Sequence, residues 1–257
     1  MSENFLLSVH GYPLDRRMWG PLAARLEGDR ICRVAAPDLR GRGTSRRPAA
    51  DVHAMSLFAD DLAADLPSLV PGDAPFLLCG LSMGGYVSLE FLRRHGARLR
   101  NRLKGLVLCD TKATADDDTG RAKRKEAIEA IRRTGIDAAL EAMAPKLLSP
   151  RSKGTPAEAL VREMILGTPP ATAMADLAGL ALRSDAFDVL GVFDRPVLVV
   201  CGEDDAITPI TDAEAMAAAC PNAPFVRLFT VPRAGHMAPL ENPGEVASAI
   251  ADLAKRI

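Results

Sequence analysis

The segment Gly80-Leu81-Ser82-Met83-Gly84 sets one hydroxyl between two glycines. It follows the apolar run Phe76–Cys79 and precedes the helix-like pattern Tyr86–Arg94. A serine at such a strand-to-helix turn sits on an elbow that lifts its hydroxyl above the sheet. The turn is so sharp that side chains two residues before and two after the serine would strike neighbouring backbone, so glycine is expected at both places. The helix that follows aims its first N–H groups at the same point and favours negative charge there. Ser82 is therefore the expected nucleophile, held in a strained conformation.

A serine hydroxyl attacks only when a base takes its proton, and near neutrality that base is a histidine. Four are available. His95 closes a helix pattern, where it can interact with the dipole. His53 lies in a polar loop and is expected to be solvated. His10 ends the first apolar run. His236 lies in Arg233-Ala-Gly-His-Met-Ala-Pro-Leu-Glu-Asn-Pro243, between the last strand-like run and the last helix. A side chain on such a loop overhangs the sheet edge, which makes His236 the best candidate for the base.

The base needs an acid to hold its tautomer and to stabilise the imidazolium. Glu203, Asp204 and Asp205 supply three adjacent carboxylates after the run Val197–Cys201. One or two of them are expected to serve the N-terminus of the next helix instead. The chain order of serine, acid and histidine is one known solution of the triad geometry. An oxyanion hole completes the requirement. One donor is the N–H of Met83, directly after the nucleophile. Val9-His10-Gly11-Tyr12-Pro13 follows the first strand, and because Pro13 has no N–H, Tyr12 is the donor if this loop supplies the second.

These residues need a sheet to hold them. Phe5–Val9, Arg30–Ala35, Phe76–Cys79, Leu103–Cys109, Val197–Cys201 and Phe225–Val231 read as strands, mostly continuous in their apolarity, as strands buried on both faces are. Helix patterns alternate with them. Ser56–Leu69 opens on a capping serine, and Met83–His95 runs up to Gly96 as a stop signal. Thr208-Pro209 and Asn242-Pro243 each read as an N-cap with proline at the first helical position, and Glu245 fits a capping box with Asn242. Such alternation predicts a parallel sheet covered on both faces. Residues 111–190 break it, reading as about four helices over Thr119–Arg133, Ile136–Leu147, Pro156–Leu166 and Pro170–Arg183. Asp116–Asp118 and the basic run Arg121–Lys125 read as a helix start with acids on the dipole and a solvated basic face.

The chain has 257 residues, is 48% hydrophobic and 25% charged, and carries a net charge of −1. That balance supports a sizeable core and argues against nucleic acid or an anionic membrane as partner. Five cysteines in scattered positions, with no C-x-x-C, read as buried free thiols in a reducing compartment. No run approaches the roughly 18 apolar residues of a membrane span, and the start MSENFLLSVHGYP has no signal-peptide pattern. A cytoplasmic location is expected.

With these pieces assembled, the chain resembles the α/β-hydrolase fold family over nearly its whole length. The matching pieces are HGYP (10–13), PDLRGRGTS (37–45), GLSMGG (80–85), GEDDAITP (202–209) and AGHMAPLENP (234–243). The resemblance implies Ser82 as nucleophile and His236 as base. The family's G-x-x-D-x-x-x-P pattern implies Asp205 as the acid, with Glu203 and Asp204 out of register. Asp110, at the end of an earlier strand, is the alternative, because some members carry the acid there. Residues 111–190 resemble the family's helical cap, inserted into a core formed by 1–110 and 191–257. Members usually carry an N-terminal β-hairpin before the HG-containing strand. Its absence predicts a mostly parallel sheet shortened at that edge.

A serine at the elbow argues against haloalkane dehalogenases and epoxide hydrolases, which use aspartate. The chain is similar to small bacterial carboxylesterases, 3-oxoadipate enol-lactonases and cofactor-free haloperoxidases (perhydrolases). The resemblance implies a serine hydrolase acting on a small-molecule ester or lactone, with no metal or cofactor. The alternatives are a perhydrolase, to which Pro13 after the oxyanion residue is similar, and a triad-bearing receptor or signalling protein with little turnover.

Overall fold

The structure, a computed structural model, describes residues 4–257. Six strands form one sheet: β1 (Phe5–Val9), β2 (Arg33–Ala35), β3 (Phe76–Leu81), β4 (Leu103–Cys109), β5 (Val197–Gly202) and β6 (Val226–Val231). All pairings are parallel, in the order β2-β1-β3-β4-β5-β6. β1, β3 and β5 are buried along their whole length, as their continuous apolar runs require. The edge strands β2 and β6 are half-buried. From β1 the chain passes first to β2 on one side and then to β3 on the other. The direction of winding therefore reverses between β1 and β3, where open α/β sheets bind ligands beyond their strand ends.

The core helices are α1 (Gly20–Gly28), α2 (Met55–Leu69), α3 (Met83–His95), α9 (Ile210–Ala218), α10 (Ala238–Glu241) and α11 (Pro243–Ala254). Between β4 and β5 lies a helical insert of α4 (Asp118–Thr134), α5 (Asp137–Leu147), α6 (Pro156–Leu166), α7 (Pro170–Leu182) and α8 (Phe187–Val192). α1 packs on α11, α2 on α3, and α4 on α7. One contiguous hydrophobic cluster runs through core and insert. Among the described residues no single helix is long and apolar enough to cross a membrane; α6 and α7 approach that composition only as a pair bent by 93°. All five cysteines are free and buried.

Several local expectations give way to tertiary contacts. α1 is absent from the sequence reading, and its C-terminal turn takes up Arg30–Cys32, so β2 begins only at Arg33. Arg30 adopts φ 56°, and Ile31 N–H donates back to Leu26 O. Ser56 does not cap α2. The helix starts one residue earlier, and Leu57 and Phe58 N–H donate to Ala54 O. That start is set by α7: a Cβ on Gly179 would lie 1.7 Å from His53 O, and His53 N–H donates to Ala175 O. Gly96 does not stop α3 in a left-handed cap but continues it into a 3₁₀ turn, Gly96–Leu99. The capping box at Asn242 does not form. α10 runs directly into α11, and the Asn242 amide donates to Pro232 O instead. Arg121 and Arg124 in the basic run pair with Asp118 and Asp116.

His53 is wholly buried, contrary to its reading as solvated. Its Nε2 accepts from Ala50 N–H at 3.0 Å, so Nδ1 carries the proton and donates to Asp176 Oδ1 at 2.7 Å. Arg42 Nη2 donates to the other Asp176 oxygen, and Arg42 Nη1 to Leu14 O. Asp176 lies on α7, whereas Arg42 and His53 lie on core loops, so one buried carboxylate latches the insert to the core. Asp176→Ala strands the buried Arg42 charge and is expected to cost about 3–5 kcal/mol of stability. The check is a fall in urea midpoint at constant m-value; an unchanged midpoint would show that the latch contributes nothing.

Candidate active site

β3 delivers its chain into an elbow. Ser82 adopts φ 53°, ψ −117°, in the region that L side chains rarely occupy. The strain is held from both sides. Ser82 N–H donates to Cys109 O at 3.0 Å, and Ser82 O accepts from Gly85 N–H and from the Thr111 hydroxyl. The flanking glycines are required by contact with backbone. A Cβ on Gly80 would lie 2.3 Å from Gly84 O, and one on Gly84 would lie 2.0 Å from Val9 O. Ser82 is half-buried. Among the described residues its hydroxyl makes no hydrogen bond, to His236 or to any other group.

The turn after β1 comes up against the elbow: a Cβ on Gly11 would lie 3.3 Å from that of Ser82. Tyr12 and Met83 flank this contact, and among the described residues neither backbone N–H has a protein acceptor. Two free amides beside one serine are what an oxyanion needs. The turn is braced by His10. Its Nε2 accepts from Leu39 N–H at 3.0 Å, so Nδ1 is the donor to Gly11 O at 3.0 Å. Burial, with the charge of Arg42, lowers the His10 pKa to about 4. His10 is therefore neutral in the fold and ties the Asp38–Leu39 loop to the Gly11 turn.

His236 is buried on the loop between β6 and α10. Its Nδ1 lies 2.8 Å from Asp205 Oδ2 and 3.0 Å from Oδ1. The carboxylate can only accept, so Nδ1 carries the proton and Nε2 is left with its lone pair. Asp205 also accepts from Ile207 N–H, Thr208 N–H and the Thr208 hydroxyl, the last at 2.8 Å. Burial alone would push its carboxyl up. The hydrogen bond and charge of His236, helped by the Thr208 and Ile207 amides, outweigh burial and hold it below the usual carboxylate range.

The other carboxylates are spent elsewhere. Glu203 accepts from Arg233 N–H and does not serve α9, whose first-turn acid is Asp212. Asp204 is exposed. Among the described residues Asp110 makes no hydrogen bond to a histidine: its oxygens accept Gly202 N–H at 2.8 Å and Ala238 N–H at 3.0 Å. Burial, and then the charge of Asp205, push its carboxyl well above the ordinary range. Asp110, Cys201 and Asp205 bring ligand atoms within 4.8 Å of one another. Their polar atoms are already engaged, and the Cys201 thiol, pushed up by burial, contacts Gly202 O and Thr208 O.

Two residues have contacts other than those their sequence context suggests. Thr208 reads as a helix cap, but its hydroxyl is the fourth donor to Asp205 and lies 3.3 Å from His236 Nδ1. Its spacing, three residues after an aspartate, was the available sign. Asp110 reads as an alternative acid, whereas it holds the strand ends together.

A family model described as "Alpha/beta hydrolase family" matches residues 6–249. The chain belongs to the α/β-hydrolase family. Among its relatives, pimeloyl-[acyl-carrier protein] methyl ester esterase of Chromobacterium violaceum is 28% identical over 252 residues, covering 96% of this chain and 92% of that protein. 3-Oxoadipate enol-lactonase 1 of Acinetobacter baylyi is 26% identical over 205 residues, or 79% and 71% of the two chains. The solved structure of a thermophilic esterase from Thermogutta terrifontis, with malate bound, superposes with a TM-score of 0.87 at 38% identity. It covers 98% of this chain and 89% of that one.

The His10 brace has a pH signature. Its folded pKa of about 4 lies below the ordinary 6.5, so between these values only the unfolded chain takes up the proton. Its contribution is intact above pH 6.5 and is lost as pH falls towards 4, about 3 kcal/mol at most. The expected result is a urea midpoint that falls from pH 7 to pH 5, with His10 ring signals in NMR still those of neutral imidazole at pH 5.5. A protonated His10 at that pH would contradict the assignment.

Proposed function

We propose that this member of the α/β-hydrolase family is a serine hydrolase that cleaves a small-molecule carboxylic ester or lactone through an acyl-enzyme. One observation carries the reading: the buried His236–Asp205 pair and the strained Ser82 hang from the same strand end. Ser82 N–H is bonded to Cys109 O, and Asp110 holds Ala238, two residues beyond His236. The activities that the relatives are named for, methyl ester esterase, enol-lactonase and esterase, are of the same class.

In the proposed cycle, His236 Nε2 takes the Ser82 proton as Oγ attacks the carbonyl carbon. The Tyr12 and Met83 amides receive the oxyanion, and Asp205 stabilises the imidazolium. His236 then returns the proton to the leaving alkoxide, releasing the alcohol, or opening the ring of a lactone. Water repeats the sequence on the acyl-enzyme and releases the acid. In this reading residues 111–190, with α4–α7 and most of α8, act as the cap over residues 1–110 and 191–257 and supply walls of the acyl site. No step calls for a metal or cofactor.

The test uses p-nitrophenyl esters of graded acyl length together with lactones. Ser82→Ala is expected to lower kcat by about 10⁵-fold or more, leaving the catalysis of the oxyanion hole alone. Asp205→Asn, which removes the negative charge and sets an NH2 donor where an oxygen accepted, so that the ring can take the wrong tautomer, is expected to lower it about 10⁴-fold. A fluorophosphonate should label wild-type protein once, at Ser82. Hydrolysis by Ser82→Ala at the wild-type rate would remove the serine mechanism. Labelling without turnover of any ester or lactone would favour a receptor.

A further inference from the structure

Glu241 closes the short helix α10, five residues after His236. Its two carboxylate oxygens face different parts of the molecule. Oε1 accepts from Gly235 N–H at 2.7 Å, the residue immediately before His236. Oε2 accepts from Ser149 N–H at 2.8 Å and from the Ser152 hydroxyl at 2.6 Å. Ser149 and Ser152 belong to the insert, in the link between α5 and α6. Backbone meets backbone at the same point: a Cβ on Gly235 would lie 2.6 Å from Ser149 N and 2.7 Å from Leu148 C. Gly235 and Ser149 are buried, so water cannot readily replace the carboxylate on either amide.

The arrangement brackets the histidine. Glu241 holds the amide on one side of His236, and Asp110 holds Ala238 N–H on the other. The two holds differ in one respect. Asp110 ties the loop to β4 and β5, inside the core, whereas Glu241 ties it to the insert. A displacement of Ser149 therefore pulls on the same carboxylate that positions Gly235. We infer that Glu241 is a positioning residue that couples the seating of the helical insert to the alignment of His236. The inference rests on the serine-hydrolase reading for its effect on rate, but not for its effect on the loop.

Two variants separate the coupling from mere stability. Ser152→Ala changes the insert alone and leaves the Gly235 bond in place. It is expected to raise hydrogen exchange not only in a peptide spanning 148–153 but also in one spanning 233–238. Exchange in 233–238 equal to wild type would overturn the coupling. Glu241→Gln keeps the shape but offers one oxygen where three donors from two segments need two. Its kcat per site titrated with fluorophosphonate should fall about tenfold, the worth of one lost hydrogen bond. Glu241→Ala should fall about 100-fold, as expected for a reacting group displaced by about 1 Å. KM for a short p-nitrophenyl ester should change less than about threefold in both, since neither contact is to substrate. Titration of active sites removes any loss through partial unfolding, and should Glu241→Ala not fold, Glu241→Gln and Ser152→Ala carry the test. Wild-type kcat per titrated site in Glu241→Gln, with Ser82→Ala inactive, would sink this inference and leave the serine mechanism standing. An active Ser82→Ala would sink the serine mechanism, while the exchange result would still decide the coupling.

Discussion

The end of β4 is the point on which the site hangs. Cys109 O takes the Ser82 N–H, and the Asp110 carboxylate takes the amides of Gly202 and Ala238. Through two consecutive residues, β3, β4, β5 and the His236 loop are fastened to one another. Asp110 adopts φ 45°, a conformation with little tolerance for a side chain, and its carboxylate is wholly buried. Both features are unfavourable in isolation. They are tolerated because the two amides would otherwise be buried without acceptors, and each such group costs about 1–3 kcal/mol. The two carboxyl oxygens accept both in fixed directions, which apolar packing could not do.

Carboxylates recur in this role across the molecule. Asp205 gathers His236, Thr208 and Ile207. Asp176 gathers Arg42 and His53 and joins α7 to the core loops. Glu241 gathers Gly235, Ser149 and Ser152. In each case one carboxylate collects donors from two or more segments. The insert is thus held by directional contacts as well as by its share of the hydrophobic cluster. Directional contacts in a satisfied polar network fix which atoms meet, whereas the hydrophobic effect by itself is non-directional. An acyl-transfer site needs that kind of precision, because its oxyanion donors must be aimed before charge develops.

Much of this was legible in the chain. The elbow at Gly80–Gly84 follows from spacing at Gly80, whose Cβ would strike Gly84 four residues on, whereas the clash at Gly84 is with Val9 O on β1 and depends on the fold. The strands follow from unbroken apolar runs such as Phe5–Val9 and Leu103–Cys109. Asp205 followed only once the pattern of the whole family was laid over three equivalent-looking acids. His53, Thr208, Ser56 and Asn242 read wrongly because each has an ordinary local role, as a solvated side chain or a helix cap, that the fold overrides. Contacts with α7 set the helix start that Ser56 would cap, the Asn242 amide donates to Pro232 O, Thr208 turns its hydroxyl to Asp205, and the His53 ring is claimed by a partner on α7. For His53 that partner is 123 residues away.

The order of residues alone determined which side chains are chemically able to act, where the backbone must bend sharply, and that a parallel sheet stands beneath them. Those properties depend on neighbours within one strand or turn. Tertiary structure alone decided which acid fastens the strand ends, and that Glu241 reaches both the insert and the histidine loop. A side chain with several possible partners takes the one that packing brings within about 3 Å, and packing sums contacts over the entire chain.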